Sequence, residues 1–270
     1  MAEYLYHYTN IEALALILKN RTIRFNSLDR MDDLQEQRSA DAQNIGKLVY
    51  VSSWTDDAQE SIPMWNMYAS LKSGIRIKLR TNPFKLREFD IDAIQKTFSS
   101  TTIDNRGCPP PMLIPLSEMM CNSFYAMSNP EEGILYKVEY VDDPDKLYPS
   151  VVKNTGKSTH IDFTEMGKYK NTRWAFQKEW RYLFWAIPVE YNNIKETESK
   201  LMTYLKNVIS GKIKQPFPYY DMPISDEAFA DMTITISPKT SAGNRLIVET
   251  LCKAYNPAAT IEASTLCGLI

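Results

Sequence analysis

Hydrophobic positions along this chain fall into short blocks of two different periods. Glu3–Thr9 is aromatic-rich and extended, which predicts a strand with Tyr6 and Tyr8 on one face and Leu5 and His7 on the other. Asn10 stands as a helix N-cap before Ile11, Leu14, Leu16, Ile17 and Leu18 at helical spacing. Thr22–Leu28 alternates as a second strand. Asp29–Ala42, carrying Asp32, Asp33 and Glu36, reads as a polar stretch, helical or looped, whose acids form a solvated face. Lys47–Thr55 is a run of β-formers of the kind buried on both faces, ending in small hydroxyls at Ser52 and Ser53. Pro63 opens a short helix, Met64–Ala69, with Trp65 and Tyr68 on one face, and Gly74–Leu79 alternates strictly, predicting a half-exposed strand.

Beyond Pro83 the signal weakens. Residues 83–127 read as a loop insertion whose Cys-Pro-Pro-Pro tract at Cys108–Pro111 is extended. Gly133–Val141 is a further alternating strand, Phe163–Phe176 has helical composition, and Trp180–Ile187 is a strand. Glu190–Lys214 reads as a basic amphipathic helix and Lys214–Asp231 as a Pro- and aromatic-rich loop, so that 190–231 forms a second insertion. Met232–Ser237 is a strand, Ala242–Tyr255 a helix, and a last strand lies near Ile261. Strands and helices mix without a regular βαβ rhythm, which points to an α+β fold with a mixed or mostly antiparallel sheet in a single domain, 1–270.

Composition narrows the chemistry. Net charge is −2 with both signs mixed along the chain, so no global field marks a nucleic-acid or membrane partner. Four cysteines lie far apart and only two histidines occur, His7 and His160, which argues against a zinc site or a disulfide framework; no metal is expected. No apolar run approaches membrane-spanning length and the first residues lack a signal-peptide pattern, giving an expectation of a cytoplasmic protein. No Gly-rich phosphate fingerprint or Gly-x-Ser-x-Gly elbow is present.

The most concentrated chemistry lies in Lys168–Trp185, which holds five cations, seven aromatic rings and one carboxylate, Glu179. A carboxylate fenced by Gln177, Lys178, Trp180 and Arg181 is partly buried, so it either pairs with a cation or has a shifted pKa. Lys168, Lys170, Arg173, Lys178 and Arg181, interleaved with Trp174 and Trp180, also make a candidate single-strand nucleic-acid surface, since cations track phosphates while rings stack on bases.

Several pieces together resemble the ADP-ribosyltransferase superfamily, and within it the bacterial domain-of-unknown-function family 2971. They are Tyr6-His7-Tyr8-Thr9, Ile23-Arg24-Phe25, Met31-Asp32-Asp33 with Glu36, Val51-Ser52-Ser53-Trp54, Trp65 with Tyr68, Gly74-Ile75-Arg76-Ile77, and Trp174 to Arg181. The resemblance implies split mixed or antiparallel sheets flanked by helices, and NAD consumed as co-substrate. It implies Glu179 as the catalytic acid, with His7 orienting the ribose. Tyr8, Thr9, Arg24, Ser52, Ser53, Trp54 and Tyr68 would hold NAD, and Gln177, Lys178, Arg181 and Arg173 the acceptor. Gln177-Lys178-Glu179 looks like the Gln-x-Glu form of the transferase motif, although many relatives have Glu where this chain has Gln177. The expected activity is transfer of ADP-ribose to RNA, DNA or protein, nucleic acid slightly favoured, by a toxin or anti-phage effector with an antitoxin partner. The alternative is a catalytically silent member that binds a nucleotide or a protein.

Overall fold

A computed structural model describes residues 2–88, 90, 111–129, 133–156, 158–189 and 198–270. Its strands are β1 (Tyr4–Asn10), β2 (Thr22–Ser27), β3 (Val49–Thr55), β4 (Gly74–Arg80), β5 (Phe124–Met127), β6 (Leu135–Lys137), β7 (Glu139–Val141), β8 (Val152–Asn154), β9 (Thr159–Ile161), β10 (Tyr169–Asn171), β11 (Glu179–Pro188), β12 (Tyr219–Pro223), β13 (Thr233–Ile236) and β14 (Thr260–Ala263). Ten of these form one mixed sheet, and the β7–β10 and β8–β9 pairs stand apart. The architecture is α+β, as the mixed pattern of periods implies.

The sheet is built on β3 and β11, which run antiparallel with Glu179 opposite Thr55 and Arg181 opposite Ser53. On the other edge of β3, β2 pairs only at Tyr50 and Val51, and β1 only at Thr55. That edge is therefore split, and neither neighbour pairs with residues 52–54. The outer edge of β11 is likewise shared, by β6 at residues 180–182 and β5 at residues 185–188. From β1 the sheet continues through β4 and β13 to β14, and from β2 it ends at β12.

Alternation along β3 feeds two cores. Tyr50 and Trp54 join Leu5, Leu14, Phe25, Ile77, Tyr182 and Phe184 under the helices Ile11–Asn20 and Ala242–Tyr255, while Val49 and Val51 join Leu28, Met166, Leu183 and Trp185 on the opposite face. Asn10 caps the first helix, its side chain accepting from the Ala13 N–H at 2.8 Å, as the sequence predicts. No helix among the described residues is long and apolar enough to cross a membrane.

Four expectations are corrected. Gly74–Arg80 is buried on both faces rather than half exposed, because Ile11–Asn20, Trp65–Ala69 and Asp226–Ala230 pack against it and its cations lie under rings: Arg76 is 4.6 Å from the Tyr6 ring centroid and Lys78 4.1 Å from that of Tyr4. Met64–Ala69 is a π-turn over Trp65–Ala69 after a single turn Ile62–Met64, closed by the Ser70 N–H on the Trp65 carbonyl at 2.6 Å. That wider turn parts Trp65, which is buried against Tyr8, from Tyr68. Phe163–Phe176 is not a helix: Gly167 adopts φ +79, β10 follows, and Asn171 caps a 3-10 stretch Thr172–Gln177. Lys214–Asp231 contains β12 and a helix Asp226–Ala230. Of the two expected insertions, residues 91–110 and 190–197 lie outside the described residues; Glu198–Ile209 is helical, and Phe84 is buried and bridges Ile224.

One buried knot ties distant segments. Glu60, before the π-turn, accepts from Trp65 Nε1 at 2.9 Å, from Ser264 Oγ at 2.5 Å and from the Thr265 N–H at 2.6 Å.

Gly167 carries the positive φ that turns the chain back toward β10, and a Cβ there would sit 2.7 Å from Leu183 Cδ1. Gly167→Ala is expected to lower the urea midpoint by an amount equivalent to ~1–2 kcal/mol without changing the slope, since a left-handed L-residue costs about that much. An unchanged midpoint would contradict this account of the turn.

Candidate active site

The split in the β3 edge opens a cavity. Tyr6, His7 and Tyr8 line it from β1, Met31 and Asp32 from the stretch after β2, Ser53 and Trp54 from β3, Met64 and Tyr68 from the turns Ile62–Met64 and Trp65–Ala69, and Lys170, Gln177 and Glu179 from the segment entering β11. Its enclosed volume is about 90 Å³, at the floor of a wider cleft that opens to solvent. Register sends Tyr6 to the same face as Thr55 and Glu179, so His7 leaves the opposite face. Both still line one cavity because it opens where the sheet is interrupted.

His7 Nδ1 lies 2.8 Å from the Ser53 carbonyl, and its ring is tilted against Trp54 with centroids 5.1 Å apart. A carbonyl only accepts, so Nδ1 carries the proton and Nε2 is left as an acceptor. Burial lowers the His7 pKa below its usual value, against a smaller opposing effect of the Ser53 hydrogen bond, and keeps the ring neutral at pH 7.

Glu179 sits in a cluster of four buried ions. Arg181 Nε donates to Glu179 Oε1 at 2.7 Å and Nη2 to Oε2 at 3.1 Å, a bidentate pair, and Lys170 Nζ donates to Oε2 at 3.0 Å. The Glu179 N–H donates to Tyr140 Oη at 2.7 Å. Glu36 completes the set, with Oε1 3.1 Å from Lys170 Nζ and Oε2 paired with Arg181 Nη1. Arg181 is 0% exposed, Glu179 3%, and Lys170 and Glu36 5% each. Two carboxylates and two cations balance, the condition under which buried charges are tolerated. Burial alone would raise the Glu179 pKa, but the charges of Arg181 and then Lys170 outweigh it and hold the carboxyl at about 2.

Lys170 is the hub of this arrangement. It also donates to Gln177 Oε1 at 2.8 Å, and Gln177 Nε2 in turn donates to Tyr68 Oη. The phenol of Tyr68 is pushed up by burial and by the nearby carboxylates of Asp32, Glu179 and Glu36, so it stays protonated.

The structure thus brings together Glu179, His7, Tyr8, Ser53, Trp54, Tyr68 and Gln177. Ser52 is not among the lining residues; its buried hydroxyl accepts from Trp54 Nε1 at 3.0 Å and orients that ring instead. Thr9 and Arg24 line a second cavity, of about 190 Å³, that also has His7 as a wall. Arg24 there makes a bidentate pair with Asp221, at 2.8 and 3.0 Å, and lies over Tyr219.

The basic surface expected from Lys168, Lys170, Arg173, Lys178 and Arg181 does not form. Arg181 and Lys170 are consumed by the buried cluster, so Arg181 cannot touch a macromolecular acceptor. Lys168 lies 3.5 Å from Glu165 and over Tyr136, and Lys178 pairs with Asp57 at 2.7 Å; Arg173 is exposed. The acids of 29–42 are corrected too, since Asp33 and Glu36 are buried rather than solvated. Among the described residues no three His, Cys, Asp or Glu side chains are grouped to hold a metal ion.

Residues 64–182 match the family described as "Protein of unknown function (DUF2971)". That span holds Tyr68, Lys170, Gln177, Glu179 and Arg181, while His7, Glu36 and Ser53 lie before it. No curated protein and no solved structure matches the chain.

Acid should act on the site in two windows. His7 has a lowered folded pKa, so the unfolded chain binds more protons below its ordinary 6.5 and stability falls from there towards the lowered value. Glu179 is also depressed, so its contribution is intact above about 4.5 and is lost as pH falls towards about 2. Urea unfolding as a function of pH is expected to show that His7→Gln removes part of the upper slope and Glu179→Gln part of the lower one. At pH 7 Glu179→Gln should cost ~3–5 kcal/mol, because it strands a buried cation.

Proposed function

We propose that this protein is a mono-ADP-ribosyltransferase that splits NAD and passes ADP-ribose to a macromolecular acceptor, and that its fold is a variant of the split-sheet transferase fold. One observation carries the reading: a buried, ionised carboxylate, Glu179, shares one cavity with a neutral histidine and the rings of Tyr6, Tyr8, Trp54 and Tyr68.

The reaction breaks the bond between the ribose C1′ and the nicotinamide nitrogen and forms one from C1′ to a nucleophilic atom of the acceptor, whose proton passes to water. The bonding electrons leave with nicotinamide, and positive charge develops on the ribose as in glycoside hydrolysis. A carboxylate already ionised and fixed in place stabilises that charge without reorganising. Held ionised by Arg181 and Lys170, Glu179 is a poor proton acceptor, so its role here is electrostatic rather than that of a general base. His7 Nε2 is available to accept from a ribose hydroxyl, and the aromatic walls suit a flat nicotinamide. The second cavity, across His7, gives the remainder of a dinucleotide somewhere to extend.

With Arg181 and Lys170 buried, the argument for a nucleic-acid acceptor loses two of its five cations. Protein and nucleic acid therefore enter the assay as equals. The rival reading, a catalytically silent nucleotide binder, is favoured by one observation: both Glu179 oxygens are already engaged by Arg181 and Lys170.

Labelled NAD incubated with the protein and RNA, DNA or lysate protein separates the two readings. Transfer is expected with at least one acceptor, and Glu179→Gln should reduce it by ~10²-fold or more. The variant should still be protected against thermal unfolding by NAD, which tells lost chemistry from lost fold. NAD binding without turnover under any condition would favour the silent reading.

A further inference from the structure

Glu36 is set apart from the other three ions of the cluster. It lies behind the cavity wall and is not among the lining residues, whereas Lys170 and Glu179 are. Its carboxylate is almost fully buried and is held by Lys170 on one oxygen and Arg181 on the other. Burying a carboxylate is expensive unless its charge is matched.

That charge decides the sign of the wall. Asp32 lines the cavity, and with Glu179 and Glu36 it sets three negative charges against the two positive ones of Lys170 and Arg181, a net negative wall. Without Glu36 the same groups balance, and the cavity would meet its ligand with no net charge. We propose that Glu36 is the positioning residue that leaves the wall net negative, so that it attracts a cationic ring. The inference rests on the NAD reading, in which the bound ring carries positive charge on its nitrogen. Glu36 touches no ligand in this account, so removing it changes the field in the cavity and none of the contacts.

Two small probes isolate the field. 1-Methylnicotinamide is a cation and nicotinamide a neutral molecule of nearly the same shape, so the ratio of their affinities reads the charge of the wall. Calorimetric titration is expected to show Glu36→Gln lowering the ratio, cation over neutral, roughly tenfold, the order expected for one unit charge about 10 Å away at an effective dielectric constant of about 20. Glu36→Asp, which keeps the charge, should preserve the ratio. Lys170→Met should raise it, and the Glu36→Gln/Lys170→Met pair should return it to within about twofold of wild type. If Glu36→Gln does not fold, comparing that double variant with Lys170→Met alone isolates the same charge. A folded Glu36→Gln protein that binds both rings with the wild-type ratio would overturn the role of Glu36 while leaving the NAD reading in place. A wild-type protein that binds neither ring would overturn the NAD reading, and this inference with it.

Discussion

Arg181 has no exposed surface, and a guanidinium in that position must be matched in charge and in donors by whatever surrounds it. Glu179 meets it from the same strand, Glu36 from the polar stretch after β2, and the Gly167 carbonyl from the turn before β10, at 2.9 Å. One side chain thus fixes the relative placement of three segments far apart in sequence. Buried ion clusters add little net stability compared with an apolar core, but each member is costly to strand, so the arrangement is held to one geometry. The second apolar core stops where this cluster begins: Val51 and Leu183 give way to Ser53 and Arg181 on the same face.

The split in the β3 edge supplies the space and the cluster supplies the field. Had β1 or β2 paired along the whole of β3, residues 52–54 would be covered and His7 would have no carbonyl to bind. Because the pairing lapses, the Ser53 carbonyl fixes the tautomer of His7, and burial keeps that ring uncharged. A neutral acceptor and a permanent anion then stand at one cavity, with pKa values moved by different causes: desolvation for His7, neighbouring cations for Glu179.

Elements with strong local signals were legible in the sequence. The Asn10 cap, the doubly buried run ending at Thr55 and the helix Ala242–Tyr255 all follow from residue type and spacing. Phe163–Phe176 misleads because its composition is helical while Gly167 and the pairing of β10 with β7 impose another path. In the site, Glu179 stood out as a lone acid among rings. Glu36 and Lys170 did not, since an acid in a polar stretch and a lysine in a basic run look solvated. Only the tertiary arrangement shows that they are each other's partners. A signal was present all the same: Lys170 and Arg181 bracket Glu179 with one more cation than the single acid of Lys168–Trp185 can neutralise.

The knot at Glu60 has a consequence for the order in which the protein is made. The cavity is lined by β1, yet the loop leading to its π-turn is held by Ser264 and Thr265. Residues 264–265 must therefore be made before Glu60 has all its partners. Domains tend to form as units during synthesis, so a nascent chain lacking residues 264–265 exposes an incomplete pocket. The loop before the π-turn is thus completed only once residues 264–265 have been made.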